Sequence, residues 1–220
     1  MRLIERESQL AALRQYADEA RQGSGRLVLI SGEAGVGKSV LLEESAHDLN
    51  DARWLWAGCD GLFTPAALGP LLDLASQLDG ELLRLCHAEA KRDQLYGALL
   101  QQLGDLSSFT VLAIEDVHWA DEATLDLLSY LGRRIQHLPV LLLVTYRDDA
   151  LVATDPLRLT LGALAIQRAT RRLSLATLSA AGVATLAEGT TIDGIELRDR
   201  VWLDLPLDTS TKPNIESRDR

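Results

Sequence analysis

The chain has 220 residues, of which 47% are hydrophobic and 25% charged, and a formal net charge of −10. That length suits one globular domain, or one domain and a fragment. The negative balance argues against a general nucleic-acid or anionic-membrane surface, because phosphate fields repel the chain overall.

Ser8 to Gln22 carries Leu10, Leu13, Ala17 and Ala20 at helical spacing, and Gly23-Ser24-Gly25 ends it. Arg26 to Ser31 is apolar enough for a buried parallel strand. A glycine-rich loop follows, then a helix-like stretch from Val40 to Leu49. Arg53 to Gly58 predicts a second strand, Asp60 to Leu68 a loop, and Pro70 the first turn of a helix through Leu78. Glu81 to Leu106 reads as helical with a break near Lys91. Phe109 to Ile114 predicts a third strand. Asp121 can cap the next helix, whose buried face carries Leu125, Leu128, Leu131 and Ile135, and Pro139 stops it. Val140 to Thr145 predicts a fourth strand, Pro156 to Leu164 a helix, Arg171 to Leu175 a fifth strand, and Ser179 a cap for a helix through Ala187. Strands alternating with helices imply an α/β fold with a parallel sheet of about five strands flanked by helices. Residues 1–188 are expected to form the domain; 189–220 have no convincing period and read as an irregular tail, disordered at least from Leu207, or the start of a cut-off lid.

Cys59 and Cys86 are too few for a disulfide framework or a zinc site and read as reduced thiols. Met1 to Gln22 is charged throughout, unlike a secretory leader, and no apolar run approaches the ~20 residues of a membrane span. A cytoplasmic protein without a membrane partner is the expectation.

Gly32 to Ser39 reads Gly-Glu-Ala-Gly-Val-Gly-Lys-Ser, the G-x-x-x-x-G-K-[ST] pattern of a nucleotide phosphate-binding loop. Its strand–loop–helix setting is what the chemistry needs. Glycines let backbone N–H groups surround a phosphate, and the helix behind adds partial positive charge. The nucleotide-contacting stretch is therefore Gly32, Glu33, Ala34, Gly35, Val36, Gly37, Lys38, Ser39 and Val40. Lys38 can neutralise the β- and γ-phosphates, and the Ser39 hydroxyl can ligate Mg²⁺.

Such a loop requires acidic partners. Residues 111–116, Val-Leu-Ala-Ile-Glu-Asp, place two carboxylates after an apolar strand, the Walker B pattern. Both acids stand beside the loop if that strand neighbours the first one. Glu115 then falls at the metal position, through water, and Asp116 orients or deprotonates the attacking water. Most such sites read Asp then Glu; the reversed order here predicts slow hydrolysis and leaves the division of roles between the two acids open. At the end of the fourth strand, Thr145 or Arg147 can reach a γ-phosphate; the competing reading pairs Arg147 with Asp148 or Asp149.

Ile30 to Ser39, Ile114 to Leu128 with its His118-Trp119-Ala120-Asp121 extension, and Leu142 to Asp149 together resemble the AAA-type ATPase domain of bacterial STAND-class regulators. These include the large LuxR-type transcription factors and ATPase–cyclase fusions. The resemblance runs from about Leu3 to Leu186. It implies a P-loop NTPase switch that uses ATP/ADP and Mg²⁺, closed with ADP and self-associating with ATP. It also implies phosphate contacts at Gly32 to Ser39, Mg²⁺ at Ser39 and Glu115, a catalytic carboxylate at Asp116, a sensor arginine at Arg147, and Arg6 near adenine. Three features depart from the pattern. Glu5 stands where the N-terminal element usually has glycine. No room is left for the usual helical lid, repeats and effector. The Gly-Asn-Pro-Phe-like stretch expected soon after Glu196 is missing. Two alternatives stay open: a nucleotide-binding remnant of little activity, and a small-molecule kinase whose lid uses Arg168, Arg171 and Arg172. No guanine-reading Asn/Thr-Lys-x-Asp segment exists, and Leu178 to Gly182 lacks a transporter-type Ser-Gly-Gly core. No direct nucleic-acid contact is expected of this chain.

Overall fold

A computed structural model describes residues 3–61, 67–105, 109–149 and 154–188. Five strands form one sheet: β1 (Arg26–Ser31), β2 (Arg53–Gly58), β3 (Thr110–Glu115), β4 (Val140–Tyr146) and β5 (Thr170–Ser174), in the order β2-β3-β4-β1-β5. Every pairing is parallel. Parallel strands need crossovers, and among the described residues eight α-helices supply or flank them: α1 (Glu7–Arg21), α2 (Lys38–Asp48), α3 (Gly69–Leu78), α4 (Gly80–His87), α5 (Arg92–Asp105), α6 (Glu122–Gly132), α7 (Pro156–Ala165) and α8 (Ala180–Glu188).

The central strands are apolar on both faces because both faces are covered. In β1, Leu27 and Leu29 join the core under α3–α7, whereas Val28 and Ile30 join Leu13, Leu41 and Leu42 of α1 and α2. In β4, Leu142 and Val144 take the first side and Leu141 and Leu143 the second. The period-2 alternation of a strand thus feeds two separate cores. The β2 edge is closed by α3. The Trp56 N–H donates to Gln77 Oε1 at 2.9 Å, the Gln77 amide donates back to the Trp56 carbonyl, and Asp73 accepts the Gly58 N–H at 3.2 Å. These side chains occupy the groups a further strand would pair with.

Several boundaries differ from the periodicity reading for local reasons. Helix α2 starts at Lys38, not Val40, because Gly37 turns the chain at φ +95° and brings Lys38 and Ser39 into the first turn. The break expected near Lys91 is present: α4 and α5 are separate helices, with Glu89 at φ +50° between them. Helix α6 ends at Gly132, well before Pro139; a 3₁₀ turn, Ile135–His137, then keeps Ile135 buried. Asp121 caps α6, accepting from the Ala123 and Thr124 N–H groups. Ser179 caps the start of α8 by accepting the Gly182 N–H at 3.1 Å. The tail 189–220 and most of the loop expected over Asp60 to Leu68 lie outside the described residues.

The expected meeting of acids and loop rested on their strands being neighbours, and that condition is not met. The strand carrying the acids, β3, does not neighbour β1; β4 lies between them. The loop after β1 and the end of β3 still meet, because α2 leaves the loop over the carboxyl ends of both strands and Ser39 reaches Glu115.

Candidate functional site

The site forms where the carboxyl ends of β1, β3 and β4 converge. The loop after β1 needs its glycines for different reasons. Gly35 and Gly37 adopt φ +70° and +95°, which side chains disfavour. Gly32 is hemmed in: a Cβ there would stand 2.8 Å from both the Leu175 carbonyl and the Val36 side chain.

Lys38 is buried, and its ammonium donates to the Gly32 and Glu33 carbonyls at 2.8 and 2.9 Å. Burial holds its pKa below the usual lysine value, while the Asp116 charge opposes that shift. The Ser39 hydroxyl donates to Glu115 Oε2 at 2.5 Å. Hydroxyl and carboxylate oxygens are the hard donors that Mg²⁺ prefers. Among the described residues no group of three or more His, Cys, Asp and Glu side chains could hold a metal. A cation here would complete its shell with phosphate oxygens and water, as Mg²⁺ does beside a nucleotide.

Asp116 leaves β3 in a left-handed conformation, φ +55° and ψ 42°, rare for a residue with a side chain. Its N–H donates to the buried Thr145 hydroxyl at 3.0 Å, so the end of β4 sets the backbone of the acid. Thr145 therefore reads Asp116, rather than reaching freely for a phosphate. The next turn brings His118 underneath. Its side chain is 7% exposed, and Nδ1 lies 3.8 Å from Asp116 Oδ1. Burial depresses the His118 pKa below 6.5, with the Asp116 charge acting against it. The ring packs against half-exposed Trp119, centroids 5.0 Å apart.

Arg147 binds Asp149, with Nη2 to Oδ2 at 3.0 Å. This hydrogen bond holds the Asp149 carboxyl below the usual range. Arg147 also lines the same cavity as the loop.

Two cavities meet at Ala34 and Gly35. The first, about 390 Å³, is lined by Ala34, Gly35, Gly37, Lys38, Ser39, Val40, Asp116, His118, Trp119 and Arg147. The second, about 310 Å³, is mostly apolar and is lined by Ala34, Gly35, Val36, Thr177, Leu178, Val183, Leu186 and Ala187. Among the sequence candidates, Gly32, Glu33, Glu115 and Arg6 line neither. Arg6 is buried behind the loop, where it donates to the Val36 carbonyl at 3.3 Å and the Ala176 carbonyl at 2.6 Å. It ties the loop to the chain after β5 instead of facing the second cavity.

The apolar wall from Thr177 to Ala187 was absent from the sequence candidates. Its signal was weak: the half-exposed Val183 on an otherwise ordinary terminal helix, far in sequence from the loop. His118 and Trp119 were legible only as part of a motif, without a position.

A phosphate-binding loop after β1, acids at the end of β3 and the strand order β2-β3-β4-β1-β5 define a P-loop nucleotide-binding domain. Residues 2–144 match the AAA ATPase domain family, and the chain belongs to that family. An uncharacterised protein of Rhizobium meliloti (strain 1021) is 32% identical over 207 aligned residues, covering 72% of this chain and 20% of that protein. The chain thus spans about one fifth of this curated relative. Among solved structures, Cdc6p from Pyrobaculum aerophilum is similar at a TM-score of 0.62 and 18% identity, over 85% of this chain and 49% of that one. The Aeropyrum pernix ORC1 protein, solved in complex with DNA, is similar at 0.59 and 19%, over 88% and 52%. At such identities the likeness speaks to the fold. Among the described residues no helix is long and apolar enough to cross a membrane.

Proposed function

We propose that this domain binds ATP·Mg²⁺ and hydrolyses it slowly, acting as the nucleotide switch of a larger STAND-class regulator. The observation that carries the reading is the pair of cavities meeting at Ala34 and Gly35. The charged one suits a triphosphate and the apolar one suits a base, so one nucleotide would lie across the loop.

Within this reading, the loop N–H groups and Lys38 hold the β- and γ-phosphates. Releasing the Gly32 and Glu33 carbonyls lets the Lys38 ammonium turn to them. Ser39, and Glu115 through water, would hold Mg²⁺, whose charge would offset that developing on the phosphate oxygens. Asp116 orients the attacking water and accepts its proton. Arg147, tethered by Asp149 and lining the same cavity, would reach the γ-phosphate. The short Asp116 where a longer Glu is usual supports slow turnover. Arg6 acts as a strut behind the base cavity.

The regulatory assignment rests on the His118-Trp119-Ala120-Asp121 extension and on a curated relative about five times longer than the matched span. On this reading residues 1–188 form the switch, and the ATP state self-associates. A cytoplasmic location suits such a switch. The kinase alternative loses its lid: Arg171 and Arg172 lie on β5, where Arg171 donates to the Arg168 and Thr170 carbonyls.

Binding and turnover by the purified chain test the proposal. ATP·Mg²⁺ should bind, Lys38→Ala should weaken binding by about a hundredfold or more, and Asp116→Asn should keep binding while stopping turnover. Wild-type protein that binds no nucleotide overturns the reading; ATP consumed only with an added acceptor returns it to a kinase.

A further inference from the structure

We propose that His118 is a positioning residue for the Asp116 carboxylate, its Nδ1 closing onto Asp116 Oδ1 when a γ-phosphate enters the cavity. This rests on the reading of Asp116 as the water-orienting group. Among the described residues, His118 Nδ1 is one of only two buried side-chain N/O atoms that lack a hydrogen-bond partner, the other being Thr170 Oγ1. A buried polar atom without a partner is costly, and each one calls for a water, an ion or a bond made in another state. Among the described residues the acidic group paired with it is Asp116, at 3.8 Å, just outside hydrogen-bond range.

The geometry also decides which partner moves. The imidazole is 7% exposed and packed on Trp119, so it is fixed. The Asp116 backbone is fixed too, by the Thr145 hydroxyl. The Asp116 carboxylate is 48% exposed and can rotate about its own torsions. A short rotation brings Oδ1 onto Nδ1 and fixes the carboxylate relative to the loop. Lys38, Arg147 and Asp149 are the other charges acting on His118, and the cations favour a neutral ring that donates a single N–H. A short acid in place of a longer one has fewer contacts to hold it, and the histidine supplies the missing hold. Asp116 remains the group that meets the water; His118 acts through it.

The 220-residue chain tests this with ATP turnover and ATP affinity measured separately. His118→Leu should lower kcat by about tenfold or more while affinity stays within about twofold. His118→Asn, whose amide N–H stands where Nδ1 does, should restore kcat to within a few-fold of wild type. If His118→Leu mainly weakens ATP binding, the histidine touches the phosphate itself and the proposal falls. If Asn rescues no better than Leu, the role is only packing and the proposal falls. A readout independent of turnover is the ¹⁵N shift of His118 Nδ1 with Mg²⁺·ADP·beryllium fluoride. It should move to that of a hydrogen-bonded N–H, and an unchanged shift on demonstrated binding overturns the assignment. Wild type that binds ATP without any hydrolysis defeats the Asp116 reading instead, and the nitrogen shift still decides whether the two side chains join.

Discussion

The Glu5 carboxylate accepts the Ser179 N–H at 2.9 Å and also the Ser179 hydroxyl proton, joining the start of the chain to the start of α8. Glu5 sits at φ +58°, in the left-handed region where glycine would be at ease. The family resemblance expects glycine there. This chain instead holds a side chain in that conformation and uses it to bind the start of a helix that walls the apolar cavity. Gly182 makes room: a Cβ at that position would stand 2.7 Å from the Glu5 carboxylate.

Glu5→Ala should loosen α8, because it removes both bonds and keeps a side chain in the strained region. Hydrogen exchange in α8 should accelerate, and ADP affinity should fall by less than about tenfold. Pyrophosphate affinity should be unchanged, since it needs only the loop. Glu5→Gly should show the same loss of affinity with less loss of stability. The Ser179 bonds hold the Glu5 carboxyl below 4.5. The latch is therefore fully present above about pH 4.5 and is lost as pH falls through the folded-state value.

Thr145→Val should disturb the site without touching a ligand. It removes the acceptor for the Asp116 N–H in a buried place, at a cost of about 1–3 kcal/mol. Turnover should drop while ATP binding persists, and Thr145→Ser should recover both stability and turnover. Equal ATP turnover in wild type and Thr145→Val would show that Asp116 is placed by other contacts.

His118 gives stability a second, separate pH window. Its folded pKa is depressed below 6.5 by burial. Below about pH 6.5 the unfolded chain binds a proton that the folded chain refuses, so stability falls with acid until the folded value is reached. Chemical denaturation at pH 7 and pH 5 should show this decline, and His118→Asn should flatten it.

Gly132→Ala should destabilise the fold and spare the site. Its Cβ would lie 2.3 Å from Leu164 Cδ2, wedging α6 from α7. Overpacking of this kind costs about 1–3 kcal/mol, or a fall in Tm of roughly 2–12 °C for a chain of this size. Nucleotide affinity measured well below the transition should match wild type.

The phosphate loop and the strands were legible because their chemistry is local. Gly32 to Ser39 states its backbone requirement residue by residue, and Leu27 to Ile30 or Leu141 to Val144 cannot be buried on both faces except as central strands. The acids at Glu115 and Asp116 were visible as the end of such a strand. Their placement was not: strand order is set by how crossovers pack, and β4 entered between β1 and β3 without any mark in the local pattern. Only the folded chain could bring Thr145 to the Asp116 N–H, His118 Nδ1 to 3.8 Å from its carboxylate, and α8 against Ala34 and Gly35. Each of these joins residues on different elements, or across a turn in an uncommon conformation. Hydrogen-bond partners and cavity walls depend on where elements dock, and the amino-acid order along any one of them does not carry that information.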